Sequence, residues 1–320
     1  MKKFAMAAVA AAALSAGVAQ AYTVGTYSNG VVVPNVIHNG AADTTAVGLI
    51  NQSGGTRAVY WTFFDQNSNH ITDGCFPMTN RDYQSFIWAN ESGGSLTNVR
   101  GYLVFALGAT TAGGAAQTAC SGAAVLATGT DAVGISANAF QVNAVAKDVA
   151  FTPVIDGPLL IGSAVDITKM DANSLVAVAG AAQTFGAVAP TFSMRYAIDQ
   201  AQLGLDTAVV VWSTGDHRGT HTVNIYDDKQ NRKSVNFALK KAELDWFDPE
   251  TILGLPATFT DGFIEWTPNV VPGDFAALGG TPGTALAQQT QGSVFTYSSI
   301  SSTAFGAVQT LLGAHTVVAP

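Results

Sequence analysis

Thr45–Asn69 reads TAVGLINQSGGTRAVYWTFFDQNSN, and Thr207–Asn231 reads TAVVVWSTGDHRGTHTVNIYDDKQN. At a constant offset of 162 residues Thr45, Ala46, Val47, Asp65 and Asn69 meet Thr207, Ala208, Val209, Asp227 and Asn231. In Ala58-Val-Tyr-Trp-Thr-Phe-Phe64, Val59, Trp61 and Phe63 point one way and Tyr60, Thr62 and Phe64 the other, which is the two-residue period of a strand. In the second copy Val223 and Ile225 replace Trp61 and Phe63, so the first face is expected to be the core. Asp65–Asn69 and Asp227–Asn231 follow these strands and read as hairpin turns whose Asx side chains satisfy local backbone groups.

The repeat extends outward. Gly101–Phe105 faces Gly262–Trp266 at an offset of 161, and Ile135–Phe140 faces Ile300–Phe305 at 165. Short loop insertions produce such drift at little entropic cost. Two homologous units are expected, 22–155 and 190–320, joined by an Ala/Gly-rich connection, 156–189. Val31–Val33, Val47–Ile50, Tyr83–Trp88, Tyr102–Leu107 and Ala139–Val145 are further β-branched or aromatic runs, set apart by Gly, Asn, Asp and Ser clusters at the spacing of an all-β sandwich. The Ala/Gly-rich stretch 108–130 reads as a long loop of the first unit, with Gly279–Thr290 its counterpart. Asp171–Ala182 has a short helix as its alternative reading, N-capped by Asn173.

Residues 1–21 have the parts of a secretory signal: Lys2 and Lys3, an apolar run from Phe4 to Val18, and the small-x-small site Ala19-Gln20-Ala21. The run is too short and Ala-rich for a spanning anchor, and no later stretch is long enough to cross a bilayer as a helix. Bacterial export is expected, to the cell surface, the extracellular space or the periplasm. Only 11% of residues are charged and the net charge is −8 with 14 Lys and Arg. That excludes a large cationic field and with it nucleic acid as a partner. Cys75 and Cys120, the two cysteines of the chain, read as a disulfide in an exported protein. At the offset of 162, Cys75 faces Phe237.

Four places carry chemistry worth weighing. Asp65, Asn67 and Asn69 have the first oxygen positions of a Ca2+ loop, but His70 stands at the glycine position and Phe76 at the bidentate acid; a plain turn is the preferred reading. His217 and His221 flank Arg218-Gly-Thr220, a metal-pair spacing on a helix but not on a loop entering a strand. Leu244-Asp-Trp-Phe-Asp-Pro-Glu250 is the densest acidic-aromatic cluster; Trp246 and Phe247 would stack on a sugar or anchor a protein partner while Asp245, Asp248 and Glu250 accept from hydroxyls. Nucleophile elbows, zinc-protease helices and phosphate loops have no match in the sequence, so no catalytic residue and no cofactor is assigned.

The leader, the paired β-rich units and the sparse charge together resemble exported bacterial surface proteins built from tandem immunoglobulin-like sandwiches. The resemblance implies surface assembly, adhesion or scaffolding. A non-enzymatic surface or extracellular-matrix structural protein is therefore expected, self-associating or meeting other envelope proteins through low-charge faces and strand edges. A carbohydrate- or protein-binding module using Trp246 is the alternative, and an exported enzyme or metal carrier ranks last.

Overall fold

A computed structural model of the chain describes residues 25–110, 116–121, 125–126, 134–162, 166–183, 190–271, 292–305 and 307–316. The expected signal sequence and Gly279–Thr290 lie outside the described residues, as does part of 108–130. The chain is nearly all β. The first unit forms β1 (Gly30–Val36), β2 (Asp43–Asn51), β3 (Arg57–Asp65), β4 (His70–Met78), β5 (Asp82–Ile87), β6 (Gly101–Ala109), β7 (Val125–Leu126), β8 (Ile135–Asn143), β9 (Asp148–Thr152) and β10 (Ile155–Asp156). Between the units lie β11 (Leu159–Ile161), β12 (Leu175–Val178) and β13 (Ala182–Gln183). The second unit forms β14 (Thr191–Ala197), β15 (Leu205–Ser213), β16 (Gly219–Asp227), β17 (Arg232–Leu239), β18 (Leu244–Phe247), β19 (Asp261–Trp266), β20 (Ser293–Ser302), β21 (Ala307–Leu312) and β22 (Ala314–Thr316). The expected strands are present, except that Trp88 opens a short helix (Trp88–Ser92) and Val145 falls in a turn.

The two units share one strand order. In the first, one sheet runs β5-β2-β8-β9 and the other β4-β3-β6-β1-β10 with β7 also on β6; in the second, one runs β18-β15-β20-β13 with β21 also on β20, and the other β17-β16-β19-β14-β22. The cross-strand register fixes which residues correspond. Asp65 pairs with Gly101 as Asp227 pairs with Gly262, in keeping with the offset of 161 for that island. Asn51, however, pairs with Ile135 and Ser213 with Val294, so Ile135 corresponds to Val294 and not to Ile300. A bulge between Phe63 and Phe64 adds a residue to β4. Hence Phe237 corresponds to Phe76, and Cys75 to Asn236. The sulfurs of Cys75 and Cys120 are bonded.

The four sheets stack as layers, because both middle sheets are apolar on both faces. Val59, Trp61 and Phe63 do face a core, shared with Val47, Leu49 and Phe86 of the β2 sheet. Tyr60, Phe64, Tyr102 and Val104, on the opposite face, enter a second core with Val210, Trp212, Phe295 and Tyr297 of the β15 sheet. A third core, with Val209, Val211, Val223, Ile225 and Trp266, fills the second sandwich. A strand buried on both faces loses the polar alternation of a half-exposed one, as β3 does.

The connection between the units is part of that middle core. Leu159, Ile161, Ile167, Met170, Leu175 and Val178 are buried there. The helix considered for Asp171–Ala182 does not form: Asp171 Oδ1 accepts from Asn173 N–H and Ser174 Oγ–H, closing a turn, and Leu175–Val178 then pairs with Leu159–Ile161. All four residues of Leu175–Val178 are buried, so both faces must be apolar, and an extended strand between two sheets meets that demand where a one-sided helix would not.

Candidate functional site

The Asp65–Asn69 turn is built the way its letters suggest. Asp65 Oδ1 accepts from the N–H of Asn67 (2.8 Å) and of Asn69 (3.0 Å), and Oδ2 from Asn69 Nδ2 (2.9 Å). Asp227 does the same with Lys229 and Asn231. The acceptors a cation would need are therefore turned onto the turn itself. In the first unit this turn docks on the second: Gln66 C=O accepts from Glu243 N–H and Leu244 N–H, both 3.2 Å. Ser68 adopts a left-handed φ of 60°, and its hydroxyl sits 2.7 Å from Tyr102 Oη. Tyr102 donates to Glu243 Oε2 at 2.9 Å. Burial pushes the Glu243 carboxyl up to about 8, with Asp216 and Asp171 adding to the rise and the Ser68 and Tyr102 hydrogen bonds opposing it. Burial likewise raises the Tyr102 phenol.

His217 and His221 do not converge on a shared ligand position. His217 is fully buried; Ser213 Oγ, which donates to the Gly215 carbonyl, accepts from His217 Nδ1–H at 2.9 Å. His221 Nε2 donates to the His217 carbonyl (2.8 Å), and its ring packs on Phe237 and Trp266. Burial pushes the His217 imidazole down to about 3, helped by His221. Asp216 is held by Arg218 in a fork of side-chain hydrogen bonds. Ser213 and His217 are both buried, and the ring donates to the hydroxyl and does not receive its proton, so the pair locks the loop between β15 and β16.

The acidic-aromatic segment forms β18 and the turn after it. Phe247 is buried against Phe237 and Trp266. Asp245 Oδ2 accepts from the N–H groups of Lys240 and Lys241, and Asp248 Oδ1 from Glu250 N–H. Trp246 is 39% exposed, but the Arg100 guanidinium lies 3.7 Å above its ring centroid. Arg100 is held in turn by Asn35 Oδ1, and Asn35 by Tyr297 Oη. The ring is thus occupied by a cation–π contact across the two units. Beside it an open groove of about 850 Å³ is lined by Lys240, Lys241, Asn236, Phe237, Trp246 and Leu253. Of the acids expected to receive hydroxyls, Asp245 and Asp248 serve the backbone instead, and Glu250 Oε2 accepts from Gln200 Nε2 at 3.1 Å. Asp248 and Glu250 also come within 4.8 Å of Asp206 through their ligand oxygens, an acidic cluster that sequence spacing did not reveal.

One surface that the sequence did not single out is the outer face of the β5-β2-β8-β9 sheet. It bears Tyr83 (65% exposed), Val149 (56%), Phe140 (41%) and Ile87 (40%). Strand alternation and the cross-strand register put Ala46, Gly48 and Ile50 between them, and no Asp, Glu, Lys or Arg side chain stands on this face of the four strands. Tyr83 and Ile87, four apart on one strand, and Phe140 and Val142, two apart on another, were the available signal. No family model, curated protein or solved structure matches the chain.

Proposed function

We propose that the chain is a non-enzymatic interaction protein of the bacterial cell exterior, exported through its leader and working by contact with envelope or matrix material. The observation that carries this reading is the outer face of the β2 sheet: four large side chains with apolar bodies exposed on one uncharged surface, where isolated exposed apolar residues would need no explanation. The stack behind it supports the reading, since a shared core and cross-unit hydrogen bonds tie the two sandwiches together. The Trp246 loop is the less favoured contact because Arg100 already covers its ring.

The test is production of the full chain in a bacterial host. Fractionation and N-terminal mass analysis would follow, then co-sedimentation of residues 22–320 with isolated envelope fragments. Recovery outside the inner membrane with Tyr22 first, and sedimentation that drops on Tyr83→Asp, is the expected result. A chain retained in the cytoplasm, or one that sediments with nothing and stays monomeric at every concentration, would overturn it.

A further inference from the structure

The two corresponding sheet faces of this chain meet different surroundings, and their differences point to a ligand. The face of the β15 sheet that carries Val210 and Trp212 is covered by the first unit; Leu244 and Tyr297 are buried there beside them, and Trp246, on the edge strand β18, is partly covered by Arg100. The register places Tyr83 where the second unit has Leu244, Gly48 where it has Val210, Ser85 where it has Trp246 and Asn138 where it has Tyr297. The covered face thus presents the large apolar groups of a protein–protein contact. The open face replaces them with one aromatic ring, two small neutral polar side chains and a glycine.

The glycine has a steric purpose. A Cβ added at Gly48 would come within 2.8 Å of Tyr83 Oη, 2.9 Å of Cε2 and 3.2 Å of Cζ. The ring therefore lies down against the β2 backbone and does not stand off the sheet, and its 65% exposure leaves the outer side of the ring open. Ser85 and Asn138, both cross-strand partners of Gly48, are exposed and make no side-chain hydrogen bond among the described residues.

We infer that this face binds a neutral polysaccharide, with Tyr83 stacking on a sugar ring and Ser85 and Asn138 exchanging hydrogen bonds with its hydroxyls. The C–H face of a pyranose is apolar and electropositive and matches an aromatic π face, while its hydroxyls need neutral partners that can both donate and accept, as Ser and Asn do. A face without Asp, Glu, Lys or Arg offers nothing to an ionic polymer. Its size also disfavours a second copy. Four strands about 4.8 Å apart and about six residues at about 3.4 Å cover roughly 400 Å², half of the roughly 800 Å² per partner of a standard stable interface. A lattice of parallel sugar chains extends beyond any one protein face, so affinity there comes from surface density and not from buried protein area.

The inference rests on the reading of the chain as an exterior contact protein and names what it contacts. Depletion binding of residues 22–320 to microcrystalline cellulose and to chitin particles, with alginate beads as the anionic comparison, tests it at 0.1 M and 0.5 M NaCl. Adsorption to cellulose or chitin that survives salt, and that falls roughly tenfold or more for Tyr83→Ala but not for Phe305→Ala, is expected. Gly48→Val, which props the ring off the sheet, should weaken it too. Circular dichroism of each variant establishes that the fold is kept. Failure to adsorb to either neutral polymer, or adsorption indifferent to Tyr83, overturns the inference. If light scattering instead shows a dimer that Tyr83→Asp dissociates, the face belongs to a second copy: the polysaccharide assignment falls while the contact-protein reading stands.

Discussion

Replacing Glu243 by Gln should make the protein more stable at neutral and alkaline pH. Glu243 lies in the core between the two units, accepting from Tyr102, and its folded carboxyl is pushed up to about 8 from an ordinary 4.5 by burial above all. Between those two values the folded chain holds a proton that the unfolded chain has released. Stability then falls with pH by about 1.4 kcal/mol per unit. The stabilisation is complete below pH 4.5, has dropped by about 3 kcal/mol at pH 7 and by about 5 kcal/mol once pH passes 8. Glutamine keeps an amide oxygen to accept from Tyr102 Oη–H and carries no proton to lose. Glu243→Gln should therefore lie within about 1 kcal/mol of the parent at pH 5 and exceed it by about 3 kcal/mol at pH 7. Urea unfolding followed by tryptophan fluorescence reads both, since Trp212 packs against Tyr102 in the same core with ring centroids 5.8 Å apart. A difference between parent and variant that is the same at pH 5 and pH 8 would refute the reasoning, because it would mean that the folded protein holds Glu243 ionised throughout.

Three further outcomes follow from the same contacts. Opening the Cys75–Cys120 bond, which closes a loop of 45 residues, by reduction or Cys120→Ser should cost about 4 kcal/mol in the chain-entropy model, read as a lower thermal midpoint. Asp65→Ala should cost about 1 to 3 kcal/mol and more than Asp227→Ala, because among the described residues the first turn alone also docks on the other unit, through Gln66; equal losses in urea unfolding would argue against that docking. Trp212→Ala, at a fully buried side chain of the middle core, should cost about 3 to 5 kcal/mol and loosen both units together. Two separate calorimetric transitions in the parent would show that the middle core does not couple them.

The strands and turns were legible because their signals are local. Period-two alternation in Ala58–Phe64 and the Asp-x-x-x-Asn turns needed only neighbouring residues. What escaped depends on distant partners. The second face of β3 was hidden because Tyr60, Thr62 and Phe64 contrast little with Val59, Trp61 and Phe63; yet an apolar run on both sides is itself the mark of a strand between two layers. The constant offset sets Cys75 opposite Phe237 because the bulge between Phe63 and Phe64 leaves no trace in composition. Ile135 was matched to Ile300 on similar letters, where hydrogen bonding matches it to Val294. Among the site residues, Asp245, Asp248 and Trp246 did come together, but which atoms they had left for a ligand depended on Lys240, Lys241, Glu250 and Arg100.

The order of the layers carries one more consequence. Unlike sheets meet in the middle: the β3 sheet of the first unit rests on the β15 sheet of the second, which corresponds to the β2 sheet and not to the β3 sheet. Such a head-to-tail contact, repeated between molecules, would build a filament. The end faces forbid the repeat. Where the first unit buries Tyr60, Thr62 and Val104, the second exposes or half-exposes Thr222, Asn224 and Glu265, and Asn224 and Glu265 are hydrogen-bonded to each other. Only the stacked Tyr226–Phe263 pair survives there as the counterpart of Phe64–Tyr102. Docking this face on the β2 sheet of another copy would desolvate Glu265 and also Arg232, which donates to Asn224, against the uncharged Tyr83 and Phe140, a loss that apolar contact over so small a face does not offset. The internal contact is therefore one that copies of this chain are not built to repeat end to end.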